Sequence, residues 1–262
     1  MERIQYFSFK YLEDLEILQS VCWALSHYLE PGPRFYDRLQ KVHELTIVKM
    51  ISQVLDQEVN MNVKHSIIRM LSKMSMASMT IISSFCDKDF AQILSKFLGA
   101  TQKDVRYVTA WTISNLILTD YIIYEYFYNF QLVDYLISKI QIENNIMVKT
   151  QFLDLLCTFI IHGKTKNLEE IIFEHEIINW LLLWLNDTSN EIDIICLKGL
   201  EHLLEQGELK RVANDRNEIA YKILHHEYFD NLMKAKESPN EDVYALASKI
   251  TEQYFGSVIS LF

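Results

Sequence analysis

Four short segments hold reactive side chains at spacings that enzymes and metal sites use. The first, Gly-Lys-Thr at residues 163–165, matches the end of a phosphate-binding loop, in which backbone amides and a lysine surround phosphate oxygens. Such a loop needs another glycine five residues earlier, but that position holds Thr158, and no strand-like segment precedes it. The sequence therefore predicts no nucleotide site here.

The other three segments are His-Glu pairs that begin like the zinc-protease motif His-Glu-x-x-His. That motif holds the metal between two histidines one helical turn apart. The first histidines, with the residues found in place of the second, are His43 with Ile47, His175 with Asn179, and His226 with Asp230. Because the second ligand is missing each time, the sequence predicts no metal site, no cofactor and no catalytic residue. We therefore expect a protein that is not an enzyme.

The composition predicts an all-α protein. Of the 262 residues, 50% are hydrophobic, which supplies a sizeable core and excludes disorder. The 6 glycines and 3 prolines leave little turn chemistry for a β-sandwich or a glycine-rich nucleotide fold. Leucine and isoleucine recur at intervals of three and four residues, which is the spacing of a helix face.

The net charge of −10 argues against nucleic acid as the main ligand. It favours a basic partner, or it serves solubility alone. Residues 1–6 lack the order of a signal peptide, and the strongest apolar run, residues 180–185, is too short to span a bilayer. We therefore expect no nucleic-acid partner and no membrane. The four cysteines are scattered without a CxxC pair, which is typical of reduced core thiols in an intracellular protein: Cys22, Cys86, Cys157 and Cys196.

One apolar template recurs five times at intervals of 42 to 46 residues. Its anchors are Trp23, Arg69, Trp111, Asp154 and Lys198. The positions six before, one before, two after and five after each anchor are apolar in every window, without a gap. A sixth, weaker copy is centred on Ser248, where Asp242 and Gln253 interrupt the template. This period is typical of armadillo or HEAT repeats, which are units of two or three stacked helices.

The template predicts an armadillo/HEAT-like right-handed α-solenoid of about six repeats in a single domain over residues 1–262. The repeat units are expected at roughly 1–33, 34–80, 81–120, 121–164, 165–208 and 209–262. The preceding helix of a unit is expected at 45–55, 90–98, 132–140 and 177–185, and helix ends at Gly99, Gly163 and Gly207. The aromatic residues Tyr6, Phe7 and Phe9 precede the first unit. We expect either these residues or another chain to cover its apolar end face.

The anchor and the residue four positions later share the helix face that is opposite the template. These pairs are Trp23 with His27, Arg69 with Lys73, Trp111 with Asn115, and Asp154 with Thr158. Large aromatic residues on a polar face indicate a ligand or a neighbouring element. We therefore predict a peptide-binding surface made of these pairs together with Ser114, with Trp111 and Asn115 on the concave side. The alternative is that the two tryptophans pack between adjacent repeats.

Several segments resemble one known family in their order and spacing. Residues 22–26 (Cys-Trp-Ala-Leu-Ser) and 110–115 (Ala-Trp-Thr-Ile-Ser-Asn) look like the third helices of importin-α (karyopherin-α) armadillo repeats. Residues 197–208 resemble the ninth repeat of that family, and residues 240–256 are similar to its closing repeat. The order fits the fifth to tenth repeats and covers nearly the whole chain. The resemblance implies a cargo adaptor of nuclear protein import, found in the cytoplasm and the nucleus.

In importin-α, tryptophans one turn before asparagines hold nuclear-localisation peptides in extended form. Indole faces flank lysine stems, and asparagine amides bind the peptide backbone. Carried over to this sequence, Trp111 and Asn115 form a complete pair, Trp23 and His27 an incomplete one, and Arg69 matches the arginine of the sixth repeat. The implied partners are an extended, basic nuclear-localisation segment and, at the C-terminal repeats, the export receptor of the family.

The sequence differs from the importin-α family at the groove positions whose side chains select lysine in the bound peptide. Val108 and Gln151 stand where acids are expected, Asp154 and Thr158 replace a Trp and an Asn, and Lys73 adds positive charge. The first four repeats and the arm that binds importin-β have no counterpart in the sequence. Two functions stay open. One is an adaptor-like module that binds an extended peptide or protein partner with weaker selection of basic cargo. The other is a repurposed scaffold or subunit of a larger assembly that no longer reads nuclear-localisation signals.

Overall fold

The structure is a computed structural model that describes five main stretches of the chain and a few single residues. The described residues are 14–30, 60–76, 86–186, 189–211 and 217–259, with Arg34, Asp37, Arg38, Gln40, Lys41, Leu55, Ile82 and Ser83. This part of the chain holds 13 α-helices, one 3-10 turn and no β-strand, so the predicted all-α class is confirmed. The helices fall into two compact units.

The first unit comprises residues 1–132 and 144–151. Its helices are α1 (Leu15–Tyr28), α2 (Met61–Met74), α3 (Lys88–Lys96), α4 (Lys103–Ile117) and α5 (Tyr121–Tyr128), with a 3-10 turn at Phe97–Gly99. Helix α2 packs against both α1 and α4, and α3 packs against α5. The helices that carry the first three anchors are therefore neighbours in space.

The second unit comprises residues 133–143 and 152–262. Its helices are α6 (Leu132–Ile142), α7 (Ile146–His162), α8 (Thr165–Phe173), α9 (Ile177–Trp184), α10 (Asn190–Lys210), α11 (Glu218–Leu224), α12 (Phe229–Ala235) and α13 (Glu241–Ile259). The boundary passes through α7, because residues 146–151 belong to the first unit. Helix α10 is central to the second unit, since it packs against α9, α11 and α13.

Polar N-caps start many of these helices. Their side chains accept hydrogen bonds from backbone amides of the first helical turn, which have no partner inside the helix. The residues that cap in this way are Asp14, Asn60, Asp87, Asp120, Ser189 and Asn217. Local sequence thus fixes where each of these helices begins.

The anchor helices pack as the apolar template predicts. The residues one before and two after the anchors are buried in all five windows: Cys22, Ile68, Ala110, Leu153 and Leu197, and Leu25, Leu71, Ile113, Leu156 and Leu200. The positions six before and five after are buried too, except for the half-buried Ile17 and the exposed Tyr28 of the first window. In the sixth copy, Ala247 and Ile250 are buried, whereas its two polar departures are exposed. Each leucine-sized side chain buried in this way contributes about 2 kcal/mol.

Two of the three predicted glycine ends are correct. Gly99 closes the 3-10 turn, and Gly163 directly follows α7. The prediction at Gly207 is wrong, because this glycine lies inside α10. A Cβ atom at Gly207 would meet the side-chain amide of Asn217, so the position needs a glycine for close approach and not for a helix end.

The predicted preceding helices at 90–98, 132–140 and 177–185 coincide with α3, α6 and α9 to within a few residues. The segment 45–55 lies outside the described residues, apart from Leu55, and so do the N-terminal aromatic residues of segment 6–9. The division of the chain into six repeat units stays a prediction.

All four cysteines are buried, and none of them is in a disulfide bond. Burial raises the pKa of the Cys22 and Cys86 thiols to about 12, and it raises the pKa of Cys157 well above its usual range. These thiols therefore stay protonated at neutral pH and are poor nucleophiles. None of the described helices combines the length and apolar character that crossing a membrane requires.

Candidate functional site

The first three anchor windows form one continuous row of polar and aromatic side chains in the first unit. We call this row the ladder and define it as Trp23 on α1, Arg69 and Lys73 on α2, and Trp111 and Asn115 on α4. All five side chains are half-buried. Because α2 packs between α1 and α4, the equivalent faces of the three helices lie side by side.

At the α1 end of the ladder, Trp23 contacts an arginine and two histidines. The Arg69 guanidinium lies over its indole, 5.0 Å from the ring centroid. His65 approaches the same indole edge-on, with ring centroids 5.8 Å apart, and His27 stacks on it at 6.1 Å. Trp23 thus contacts the next anchor helix, as the predicted alternative of packing between repeats requires, and still keeps part of its surface exposed.

At the α4 end, Lys73 links two windows. Its ammonium lies 5.7 Å from the Trp111 ring centroid and 3.6 Å from Glu30 Oε2. The Asn115 amide donates a hydrogen bond through Nδ2 to Ser75 Oγ, at 3.2 Å. A cation of this chain therefore occupies one face of the indole that was predicted to receive a peptide side chain.

A cavity of about 250 Å³ adjoins the ladder in the first unit. Its lining includes His65, Arg69, Lys103, Asp104 and Met147. Burial lowers the pKa of His65, and the Arg69 charge lowers it further, whereas Asp104 raises it. His65 is therefore neutral at physiological pH. The permanent positive charge beside Trp23 is that of the Arg69 guanidinium.

Acidification is expected to destabilise the chain through His65. Its pKa is near 6.5 in the unfolded chain and lower in the folded one. As the pH falls through about 6.5, the unfolded chain takes up a proton that the folded chain binds only at lower pH, so the free energy of unfolding falls. His65→Gln cannot take up this proton, and its Tm should drop less than that of the wild type between about pH 7 and pH 5. Thermal unfolding followed by circular dichroism gives the Tm of the wild type and of His65→Gln at each pH. An equal fall in Tm for the two proteins would show that His65 is not the source of the pH dependence.

Part of the predicted surface needs correction. Ser114 is 4% exposed and Thr158 is 9% exposed, so neither hydroxyl is available to a ligand. The Thr158 hydroxyl instead donates to the backbone carbonyl of Asp154, at 2.9 Å, as a threonine inside a helix commonly does. Asp154 is exposed, but it lies in the portion of α7 that belongs to the second unit. Of the nine predicted residues, the structure brings together Trp23, His27, Arg69, Lys73, Trp111 and Asn115.

Three residues of this surface are not predicted by the anchor template: His65, Glu30 and Ser75. His65 lies one turn before Arg69 on α2, so the helical period could have shown it. Glu30 and Ser75 follow the ends of α1 and α2, where the template no longer applies. Their contacts depend on how adjacent windows pack against each other, and the sequence of a single window does not predict this packing.

The His-Glu pairs of the sequence form no metal centre in the described part of the chain. No group of three or more His, Cys, Asp or Glu side chains there could hold a metal ion. His175, from one of the His-Glu pairs, contacts the Asp134 carboxylate through Nδ1 at 2.6 Å.

No family model and no curated protein matches the chain. A computationally designed armadillo repeat protein for modular peptide recognition shares 16% identity over 92% of this chain and 95% of its own, with a TM-score of 0.77. A designed armadillo repeat protein in complex with the peptide (KR)4 shares 18% identity over 92% and 94%, with a TM-score of 0.75. An engineered protein shares 11% identity over 98% and 100%, with a TM-score of 0.79. The fold is thus that of an all-α solenoid of the armadillo type, and membership of the importin-α family stays a prediction.

Proposed function

We propose that the protein is a non-enzymatic peptide-binding module that holds an extended segment of a partner protein along the ladder. The observation that carries this proposal is the pairing of Trp111 with Asn115, one helical turn apart on α4 and half-buried beside α2. A half-buried indole next to an amide offers a surface for a side chain and hydrogen bonds for a backbone. Proteins designed for modular peptide recognition have the same fold, which supports this use of the surface.

Asn115 has hydrogen-bonding capacity left for a peptide backbone. An asparagine amide offers two N–H donors and a carbonyl oxygen with two lone pairs. Among the described residues, its contact is the single hydrogen bond from Nδ2 to Ser75 Oγ. The second N–H and Oδ1 can therefore pair with the C=O and N–H groups of an extended segment, whose backbone groups are otherwise unpaired.

The finer role we propose is that of a cargo adaptor similar to importin-α, with altered selectivity. Such an adaptor would carry an extended segment of its cargo, meet an export receptor at its C-terminal helices and occur in both cytoplasm and nucleus. Residues 22–26 and 110–115, together with the armadillo fold, support this role. The cations of Arg69 and Lys73 on the two indoles oppose lysine binding. Weak selection for basic segments therefore forms part of the proposal.

Removing the Trp111 and Asn115 side chains is expected to weaken peptide binding by at least about tenfold, or about 1.4 kcal/mol. Buried aromatic anchors and their hydrogen-bonding neighbours supply most of the energy of such contacts. Extended peptides selected from a random phage library on the wild-type chain provide the probe. Their Kd values for Trp111→Ala combined with Asn115→Ala are measured by fluorescence anisotropy. Ile122→Ala is the matched control, because it removes a side chain that is 58% exposed on α5 in the same unit.

A second candidate, the scaffold or subunit of a larger assembly, is favoured by an aromatic surface in the second unit. Phe173 is 56% exposed and Tyr221 44% exposed, and the Lys222 ammonium lies 4.0 Å from the Phe173 ring centroid. A cavity of about 560 Å³ lies beside Phe173 and Lys222. Exposed apolar groups of this kind are typical of protein contacts. Unchanged Kd values in the Trp111 and Asn115 double variant would favour this candidate over the ladder.

A further inference from the structure

Lys73 occupies the position that a ligand lysine would take on Trp111. Its side chain is only 15% exposed, although a lysine at the surface of a helix is ordinarily solvated. The ammonium lies over the indole at 5.7 Å from the ring centroid and has Glu30 as its counter-ion at 3.6 Å. The chain thus supplies both the cation and the acid that a lysine-binding indole needs.

This arrangement opposes an incoming lysine in two ways. One face of the Trp111 ring is covered, so a second ammonium would have to displace Lys73 or stack on the remaining surface. An ammonium that arrived beside Lys73 would also meet a like charge, which costs most where water is partly excluded. Glu30 offsets part of this repulsion, so the main obstacle to an incoming lysine is that Lys73 already occupies the ring face.

A carboxylate is no better placed at this position. Glu30, with 50% of its side chain in contact with solvent, neutralises much of the Lys73 charge, so a carboxylate gains little attraction here and still loses part of its hydration. An uncharged side chain meets no like charge and loses little hydration. It can pack on the exposed part of the indole and on the aliphatic stem of Lys73, which is itself apolar.

We propose that Lys73 is a specificity-determining residue, an internal ligand of Trp111 that excludes lysine and selects an uncharged side chain at this position of the bound peptide. The inference rests on the proposed peptide-binding function of the ladder and adds the class of side chain that the ladder accepts. It also assigns to Glu30 the role of holding the internal ligand in place.

The test is a gain of binding to the basic peptide (KR)4, the ligand of one designed protein of this fold. Lys73→Asn is expected to raise the affinity of the chain for labelled (KR)4 by about tenfold, or about 1.4 kcal/mol, because it frees a face of the Trp111 indole for a lysine of the peptide. Lys73→Gln, which keeps most of the stem, should gain less and serves as a second variant. The matched control is Lys64→Asn on the same helix. It removes the same charge from a lysine whose ammonium lies 5.3 Å from the Phe97 ring centroid.

A double-mutant cycle separates the internal-ligand effect from a change in net charge. The gain of Lys73→Asn should disappear when Trp111→Ala is added. An equal gain in Lys64→Asn, a gain that survives Trp111→Ala, or no gain in either Lys73 variant would overturn the inference. The proposed function is judged separately, on the phage-selected peptides, so either can fail while the other holds.

Discussion

Replacing Gly207 with alanine is expected to lower the free energy of unfolding by about 3 kcal/mol. The new Cβ would lie 2.7 Å from Asn217 Cγ and 2.9 Å from its Nδ2, and closer still to Oδ1. Asn217 cannot move away freely, because its Nδ2 donates to the Leu204 carbonyl and to Glu208 Oε1, both at 2.9 Å. Its Oδ1 also accepts from the Ala220 amide at 3.0 Å, which caps α11. The substitution therefore combines overpacking with the loss of a buried polar network.

Gly256→Ala is the matched control for Gly207→Ala, and it should have the opposite sign. Gly256 also lies inside a long helix, α13, but among the described residues no atom outside its own helical turn lies within 4 Å of the Cβ that alanine would add. Alanine is favoured over glycine in a helix by up to about 1 kcal/mol. Urea unfolding of both variants, followed by circular dichroism, gives the comparison. Equal effects of the two substitutions would show that the contact with Asn217 is not what Gly207 provides.

The anchor template predicted most of the fold because helix burial is a local, periodic property. A side chain two residues after an anchor faces the same way in every window, so one apolar pattern located the core of five helices. Gly207 shows where this reasoning fails. A glycine near the end of an apolar pattern looks like a helix end, yet α10 continues to Lys210 and the glycine makes room for a residue that comes ten positions later. The spacing of residues within one helix does not predict where another segment of the chain will approach it closely.

In the candidate site too, the sequence predicted which residues share a helix face but not which residues of different helices touch. The anchor face placed Trp23, Arg69 and Trp111 on one surface, because the period of the helix decides which residues share a face. It also placed Thr158 there, but this hydroxyl is buried in α7. The partnership of Lys73 with Trp111 and Glu30 joins three helical windows. Such contacts follow from the packing of α2 against α1 and α4, and the periodicity of a single helix cannot predict them.

Leu200→Ala is expected to lower the free energy of unfolding by about 3 kcal/mol. Leu200 lies two residues after the Lys198 anchor and is fully buried in α10, the helix against which α9, α11 and α13 pack. Truncation removes three carbon atoms from this contact and leaves a cavity that the surrounding helices fill only in part.

Lys198→Ala, two residues away on the same helix, provides the comparison that decides whether the template marks the core. Lys198 is exposed, so its truncation should change the free energy of unfolding by less than about 0.5 kcal/mol. Alanine has the highest helix propensity, and both variants therefore leave the local helix intact. A large difference between them measures burial alone. If both variants lost similar stability in urea, the Lys198 window would have the helical period of the template without supplying a core residue.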